Sequence, residues 1–309
     1  MRIFGQAHFA FMSARRRAFM VSGALIAIGV LSIALHGGLD YGVDFTGGTL
    51  VQVEFSEALN AAELRSAVED AGFAGAAIQG FGGNREYLIR LEASEEDVES
   101  GPESLLEDLA ATFGEGSFEV LRVEAVGPKV GSELQRKAAF AILLSFVLTL
   151  IYLAFRFEWR FGVAAVIATI HDILITFGFI SLTGIEITLG TVAAILTIVG
   201  YSLNDTIVVF DRIRENLRKK RKESYEETLN RSINETLPRT VLTSGTTLLT
   251  LGALFVFGGS VIRPFAAVLI LGIVIGTYSS IFMASPALLE IEEYARRRAR
   301  AHRAHAAGA

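Results

Sequence analysis

Two adjacent side chains, Asn204 and Asp205, stand inside a run otherwise apolar enough to cross a bilayer: Gly190–Asn216 reads GTVAAILTIVGYSLNDTIVVFDRIREN. An ionisable group there is costly, so it usually faces a bundle interior and serves a pathway or relay. Gly190, Ala194, Thr197, Tyr201, Asn204 and Asp205 step by three or four and predict one small, polar helical stripe. The chemistry open to such a stripe is proton exchange at the Asp205 carboxyl. The opposing reading is that Asp205 caps the helix end, or serves as polar glue between helices.

Other spans carry polar residues that could meet it. Asp172 lies about halfway along Phe161–Leu182 with His171 beside it, a possible secondary polar site. Arg239 opens a hydroxyl-rich face with Thr243, Thr246, Thr247 and Thr250. Ser145, Thr149, Tyr152 and Arg156 form another stripe, and Gly272 and Gly276 form a G-x-x-x-G pair suited to close helix packing, followed by Thr277 and Ser280. If consecutive spans alternate in direction, Asp205 and Arg239 enter at similar depth and are expected partners. Arginine stays protonated, so Asp205 would be the titrating member. The five histidines are dispersed, with no cysteine, no H-E-x-x-H and no Walker loop. The expectation is therefore no metal, no cofactor other than protons as coupling ion, and no enzymatic site.

The chain that must position these groups has 309 residues, 51% of them hydrophobic. Its mean hydropathy is +0.46. That is too apolar for an ordinary soluble domain and fits several spans plus one soluble part. Charge is divided sharply. Residues 37–133 hold 20 acidic and 5 basic side chains, a net −15, while the rest holds 13 acidic and 23 basic, a net +10. An acidic block outside and basic segments in the cytoplasm are what the positive-inside rule produces.

Six spans are expected. The first, Ala18–Leu35, follows Arg15, Arg16 and Arg17 and is read as retained rather than cleaved. The others are Ala138–Phe155, Phe161–Leu182, Ile187–Phe210, Leu237–Phe257 and Pro264–Leu289. The basic connection 211–239 and the tail 290–309 are placed in the cytoplasm, as is the N-terminus. The tail is assigned no role. Ser224 and Glu227 signal a helix start within the connection, read as a helix on the membrane surface.

Residues 37–133 read as a separate domain. Strands are expected at Thr49–Phe55, Ala76–Phe81, Tyr87–Leu91 and Phe118–Val126, with a turn at Gly82-Gly83-Asn84. Helices are expected at Asn60–Gly72, capped by Asn60, and at Pro102–Phe113. The order β-α-β-β-α-β is the ferredoxin-like arrangement. The fold class is thus a six-helix polytopic membrane protein with an inserted α+β domain between its first and second helices.

Several motifs go further: YGVDFTGGT at Tyr41–Thr49, VGPKVGSEL at Val126–Leu134, VGYSLNDTIVVFDRIREN at Val199–Asn216, SINETLPRTVLTSGTTL at Ser232–Leu248 and GTYSSIFMASPAL at Gly276–Leu288. In this order they resemble the SecF family, membrane subunits that work with SecD beside the bacterial Sec translocon. That family is similar to proton-driven exporters built from two six-helix halves, and this chain has the length of one half. The resemblance implies SecD, the SecYEG translocon and translocating unfolded preprotein as partners, within the lipid bilayer of the cytoplasmic (inner) membrane, and no nucleic acid. It implies a proton relay at Asp205, Arg239 and Asn204, a family motif at Asp44, Phe45, Gly47 and Gly48, and a periplasmic location for residues 37–133. Half of a small-molecule or lipid exporter, or a passive scaffold for SecD, are the competing readings.

Overall fold

A computed structural model describes residues 8–80, 84–91, 97–219 and 222–307. The chain divides into two compact units: residues 41–141 with 186–189, and the remainder.

The first unit is a four-stranded sheet with two helices. It opens with a helical turn α2 (Val43–Thr46), which follows the first long helix α1 (Arg15–Leu35). Then come β1 (Gly48–Phe55), α3 (Ala61–Asp70), β2 (Ala77–Gly80), β3 (Glu86–Leu91), α4 (Asp97–Phe113) and β4 (Phe118–Val126). The strand order is β2-β3-β1-β4 with every pairing antiparallel. This is the expected ferredoxin-like arrangement. The expected Gly82-Gly83 turn lies outside the described residues.

Alternation explains the core. Val51, Val53 and Phe55 share one face of β1 and bury against Tyr87, Ile89 and Leu91, with Val51 opposite Ile89 and Val53 opposite Tyr87. Leu64, Ala67 and Val68 of α3 and Leu105 and Leu109 of α4 cover that face at helical spacing. Asn60 caps α3 as expected, its Oδ1 accepting from the Ala62 amide at 3.0 Å. Helix α4 starts five residues before the proline that the sequence suggests as its first turn. Pro102 thus stands in the second turn, where it removes one i→i−4 hydrogen bond.

The motif glycines have a steric reason. Gly47 and Gly48 take φ of 75° and 110° after the α2 turn. A Cβ on Gly47 would lie 2.9 Å from Cα of Pro128, and one on Gly131 would lie 2.9 Å from the Gly47 nitrogen. YGVDFTGGT and VGPKVGSEL are therefore two sides of one backbone contact.

The second unit is helical. α5 (Pro128–Arg156) leaves the sheet unit and is followed by α6 (Trp159–Thr183), α7 (Leu189–Arg218), α8 (Tyr225–Phe257) and α9 (Gly259–Ser279). A π turn, Ser280–Ala284, joins α9 to α10 (Ser285–Ala307). Six helical segments among the described residues have the length and hydropathy to cross a membrane. The chain is a multi-pass membrane protein by this measure.

The expected surface helix within 211–239 is instead the start of the fifth span. The Ser224–Glu227 capping box opens a single 33-residue helix that continues through Pro238. In the helical core Phe157 and Phe161 stack on each other and Phe210 meets both edge-on, in one cluster with Ile213, Leu229 and Leu288. Gly29 of α1 meets Gly178 of α6 so closely that a Cβ on either would lie within 2.7 Å of the other's Cα. Gly272 seats on Ile198, and Gly276 approaches Ser202. The G-x-x-x-G pair thus joins the last span to α7 within this chain.

Candidate functional site

Asp205 is buried on α7, 8% exposed, and its two oxygens meet two different helices. Oδ1 accepts from the Thr240 hydroxyl of α8 at 2.8 Å, and Oδ2 accepts from the Ser280 hydroxyl at the start of the π turn. The expected Asp205–Arg239 ion pair is not formed. Arg239 lies one residue before Thr240, which turns it to the exposed side of α8. There its guanidinium makes no hydrogen bond or ion pair among the described residues, though it stands within electrostatic reach of Asp205. Asn204 is likewise exposed, its side chain likewise without a hydrogen bond among the described residues.

The polar stripe of α7 therefore divides into two faces. Ala194 and Asp205 turn inward; Gly190, Thr197 and Asn204 turn outward, with Tyr201 between them. Tyr201 reaches Ser244, and Ser244 bonds Thr277 at 2.6 Å. The stripe on α8 shows the same division. Thr243, Thr246, Thr247 and Thr250 spend their hydroxyls on carbonyls of their own helix. The inward residues are Thr240 and Ser244, an i,i+4 pair that sequence reasoning passed over because Arg239 set the phase of the stripe.

Asp172 and His171 are brought together deep in α6, 1% and 3% exposed. Asp172 Oδ1 meets His171 Nδ1 at 2.8 Å, and Oδ2 accepts from Ser202 of α7 and from Ser279 at 2.7 Å. His171 Nε2 bonds Ser22 of α1 at 2.9 Å, and Tyr278 stacks on the imidazole. Ser22, Ser202 and Ser279 touch these groups and were passed over by sequence reasoning, whereas Ser280 lies on the polar stripe that the sequence offers after Gly276 and Thr277. A serine in an apolar run can bond its own helix, so nothing in the sequence marks which of them meets another span.

Asp44, placed in the family motif, accepts the Leu189 amide at 2.8 Å and so caps an open helix start. Phe45 is buried and packs edge-on to Tyr41. Glu186, expected in a short loop, pairs with Arg90, and Ile187 bridges to Tyr41. At one end of the helical unit Arg156 pairs with Asp211 at 2.5 Å, Arg212 with Glu215 and Glu235 at 2.6 Å, and Arg160 with Glu292.

These features define a polytopic helical membrane protein with an inserted ferredoxin-like domain and hydroxyl-bound carboxyl groups buried in its spans. The family Protein export membrane protein SecD/SecF, C-terminal, matches residues 106–294, and the SecD/SecF GG Motif family matches residues 34–58. The chain is 50% identical over 299 residues to a protein translocase subunit SecF of Gemmatimonas aurantiaca, covering 94% of this chain and 90% of that one. It is 47% identical over 284 residues to the corresponding subunit of Vibrio alginolyticus, covering 91% and 89%. The crystal structure of SecDF, a translocon-associated membrane protein from Thermus thermophilus, superposes with a TM-score of 0.84 at 42% identity. That match covers 95% of this chain and 40% of the SecDF chain. The chain belongs to the SecF family of protein translocase subunits.

Proposed function

We propose that this chain is an accessory subunit of protein export that uses the proton gradient, with Asp205 as the group that takes up and releases the proton. The observation that supports this reading most is the setting of Asp205. It is buried within a span and held only by rotatable hydroxyls, with no cation paired to it among the described residues. A hydroxyl can donate to a carboxylate or accept from a carboxyl group. Either protonation state of Asp205 can then be satisfied in place, which a fixed ion pair would not permit.

The outward faces of α7 and α8 support a SecD-like companion. Arg239, Asn204, Thr197 and Thr243 are exposed within candidate spans, and Gly200 has open space around it. An arginine left to lipid at a helix centre costs roughly 2.5–3.5 kcal/mol on insertion scales. Helices of a partner covering this face would place Arg239 in a polar seam. α5, with only 6% of its apolar window buried in this chain, offers a further uncovered surface. SecYEG and the emerging preprotein complete the assembly in this reading. Both termini lie in the cytoplasm and residues 37–133 outside, in keeping with the charge division.

The experiment is precursor translocation into vesicles carrying the complex, with and without a proton gradient. Asp205→Asn keeps size and one acceptor oxygen but cannot titrate. It is expected to assemble and to lose most gradient-dependent stimulation. A scaffold or an exporter half predicts that stimulation persists, and that result would overturn the proposal.

A further inference from the structure

We propose that His171 and Asp172 form a second proton-holding centre, coupled to Asp205 through the adjacent hydroxyls of Ser279 and Ser280. The inference rests on the proton-coupled reading above and extends it from one carboxyl group to two that share a helix turn.

Ser279 and Ser280 are consecutive, so their side chains leave the helix about 100° apart. One reaches Asp172 on α6 and the other reaches Asp205 on α7. A second link runs through α7 itself: Ser202, one turn before Asp205, donates to Asp172. All of these groups are buried.

The hydroxyls of Ser279 and Ser280 each have an alternative partner. Ser279 Oγ lies 2.7 Å from Asp172 Oδ2 and 3.1 Å from the Gly276 carbonyl oxygen. Ser280 Oγ stands in the same relation to Asp205 and to the Thr277 carbonyl, at 3.0 Å. One O–H donates to one of these at a time. When a carboxylate gains a proton, its serine can turn its own hydrogen to the carbonyl and accept the new carboxyl hydrogen. One proton has been added and no buried polar atom is stranded.

His171 extends the centre in the same manner. Neutral imidazole with its proton on Nδ1 donates to Asp172 and accepts from Ser22 at Nε2. Doubly protonated imidazole donates at both positions. Ser22 has its own alternative in the Tyr278 hydroxyl at 3.2 Å, which donates to the Ala18 carbonyl at 3.0 Å.

The π turn makes the adjacent serines a place where protonation can move a helix. Ser280–Ala284 departs from the α ladder, and the Ser280 carbonyl accepts from Ser285 Oγ at 3.0 Å. Single π turns within α-helices recur at functional positions. The titratable group in contact with Asp172 is His171 on its own helix; Tyr278 of α9 stacks on that imidazole, and Asp205 of α7 is reached only through the serine hydroxyls. α1 contributes the Ser22 hydroxyl, Arg239 of α8 acts on Asp205 from outside, and Glu292 of α10 is occupied by Arg160.

The test is infrared difference spectroscopy of the full chain in lipid nanodiscs across a pH titration, reading the C=O stretch of protonated carboxyl groups. Two buried carboxyl signals are expected, one removed by Asp172→Asn and the other by Asp205→Asn. Asp172→Asn should shift the midpoint of the Asp205 signal by about one pH unit, the scale that marks coupled sites. Ser279→Ala retains both carboxyl groups and should weaken the coupling, and it carries the test alone if Asp172→Asn does not assemble. An Asp172 signal that never changes with pH, or an Asp205 midpoint that both variants leave in place, would overturn the inference. Loss of coupling with gradient-driven export still dependent on Asp205 removes only this inference. Coupling with export indifferent to Asp205→Asn removes the proposed function instead.

Discussion

In the sheet unit Glu54, Glu63 and Asp70 stand on exposed faces, while Asp172 and Asp205 in the helical unit keep all four carboxyl oxygens inside, bonded to hydroxyls and one imidazole. The same functional group is treated in opposite ways. Where water is the solvent, acids decorate a surface and apolar side chains fill the interior. Where lipid is the solvent, apolar residues can face outward at no cost and polarity is drawn into the bundle. Packing differs accordingly. The sheet unit is filled by large side chains from two helices and the strands β1 and β3, whereas the spans add to their own apolar core close backbone contacts at glycine.

The harshest challenge to that contrast is Gly178→Val. Its new atoms would meet the backbone of Gly29, which cannot rotate away. The damage should exceed the about 1–3 kcal/mol of ordinary overpacking, and the yield of folded protein by size-exclusion chromatography should fall severely. A normal yield would show that α1 and α6 can separate without consequence.

Leu64→Ala probes the other kind of interior. Leu64 is fully buried against the sheet, so its truncation should cost about 2–5 kcal/mol. Faster hydrogen exchange in β1 and β3, with the spans unchanged, would bear this out; equal exchange would contradict it. Asn60→Ala should cost about 1 kcal/mol through loss of the α3 cap, seen as faster exchange in the first turn of that helix alone. Arg156→Ala breaks an ion pair with Asp211 whose partners are 37% and 40% exposed. It should change stability by less than about 1 kcal/mol, and a large drop in thermal midpoint would mean that this end of the bundle is more buried than it stands here.

Legibility in the sequence followed the same divide. Strand alternation, the Asn60 cap and the β-α-β-β-α-β order were readable because a soluble domain writes its faces in polar and apolar letters. So were the six apolar runs and the isolated acids within them. The inward direction of each polar residue was not readable. On α8 the phase was set from Arg239, and the stripe drawn through Thr243 and Thr246 faces outward, whereas Thr240 and Ser244 face Asp205 and its neighbours. In a span, a threonine can satisfy itself on its own helix, so a hydroxyl stripe marks no particular side. Ser279 was hidden for another reason: a stripe read through Thr277 and Ser280 leaves it out, because consecutive residues point in different directions, and only the three-dimensional position of α6 and α7 shows that both directions end on a carboxyl group.

The central claim is that burial among hydroxyls makes Asp205 responsive to protons in a way that exposed acids of the same chain are not. The most direct measurement is gradient-dependent export stimulation per assembled complex, taken side by side for Asp205→Asn and Asp70→Asn. The account predicts that Asp205→Asn assembles and loses most of its stimulation while Asp70→Asn matches the unaltered chain. Full stimulation per complex in Asp205→Asn would contradict it.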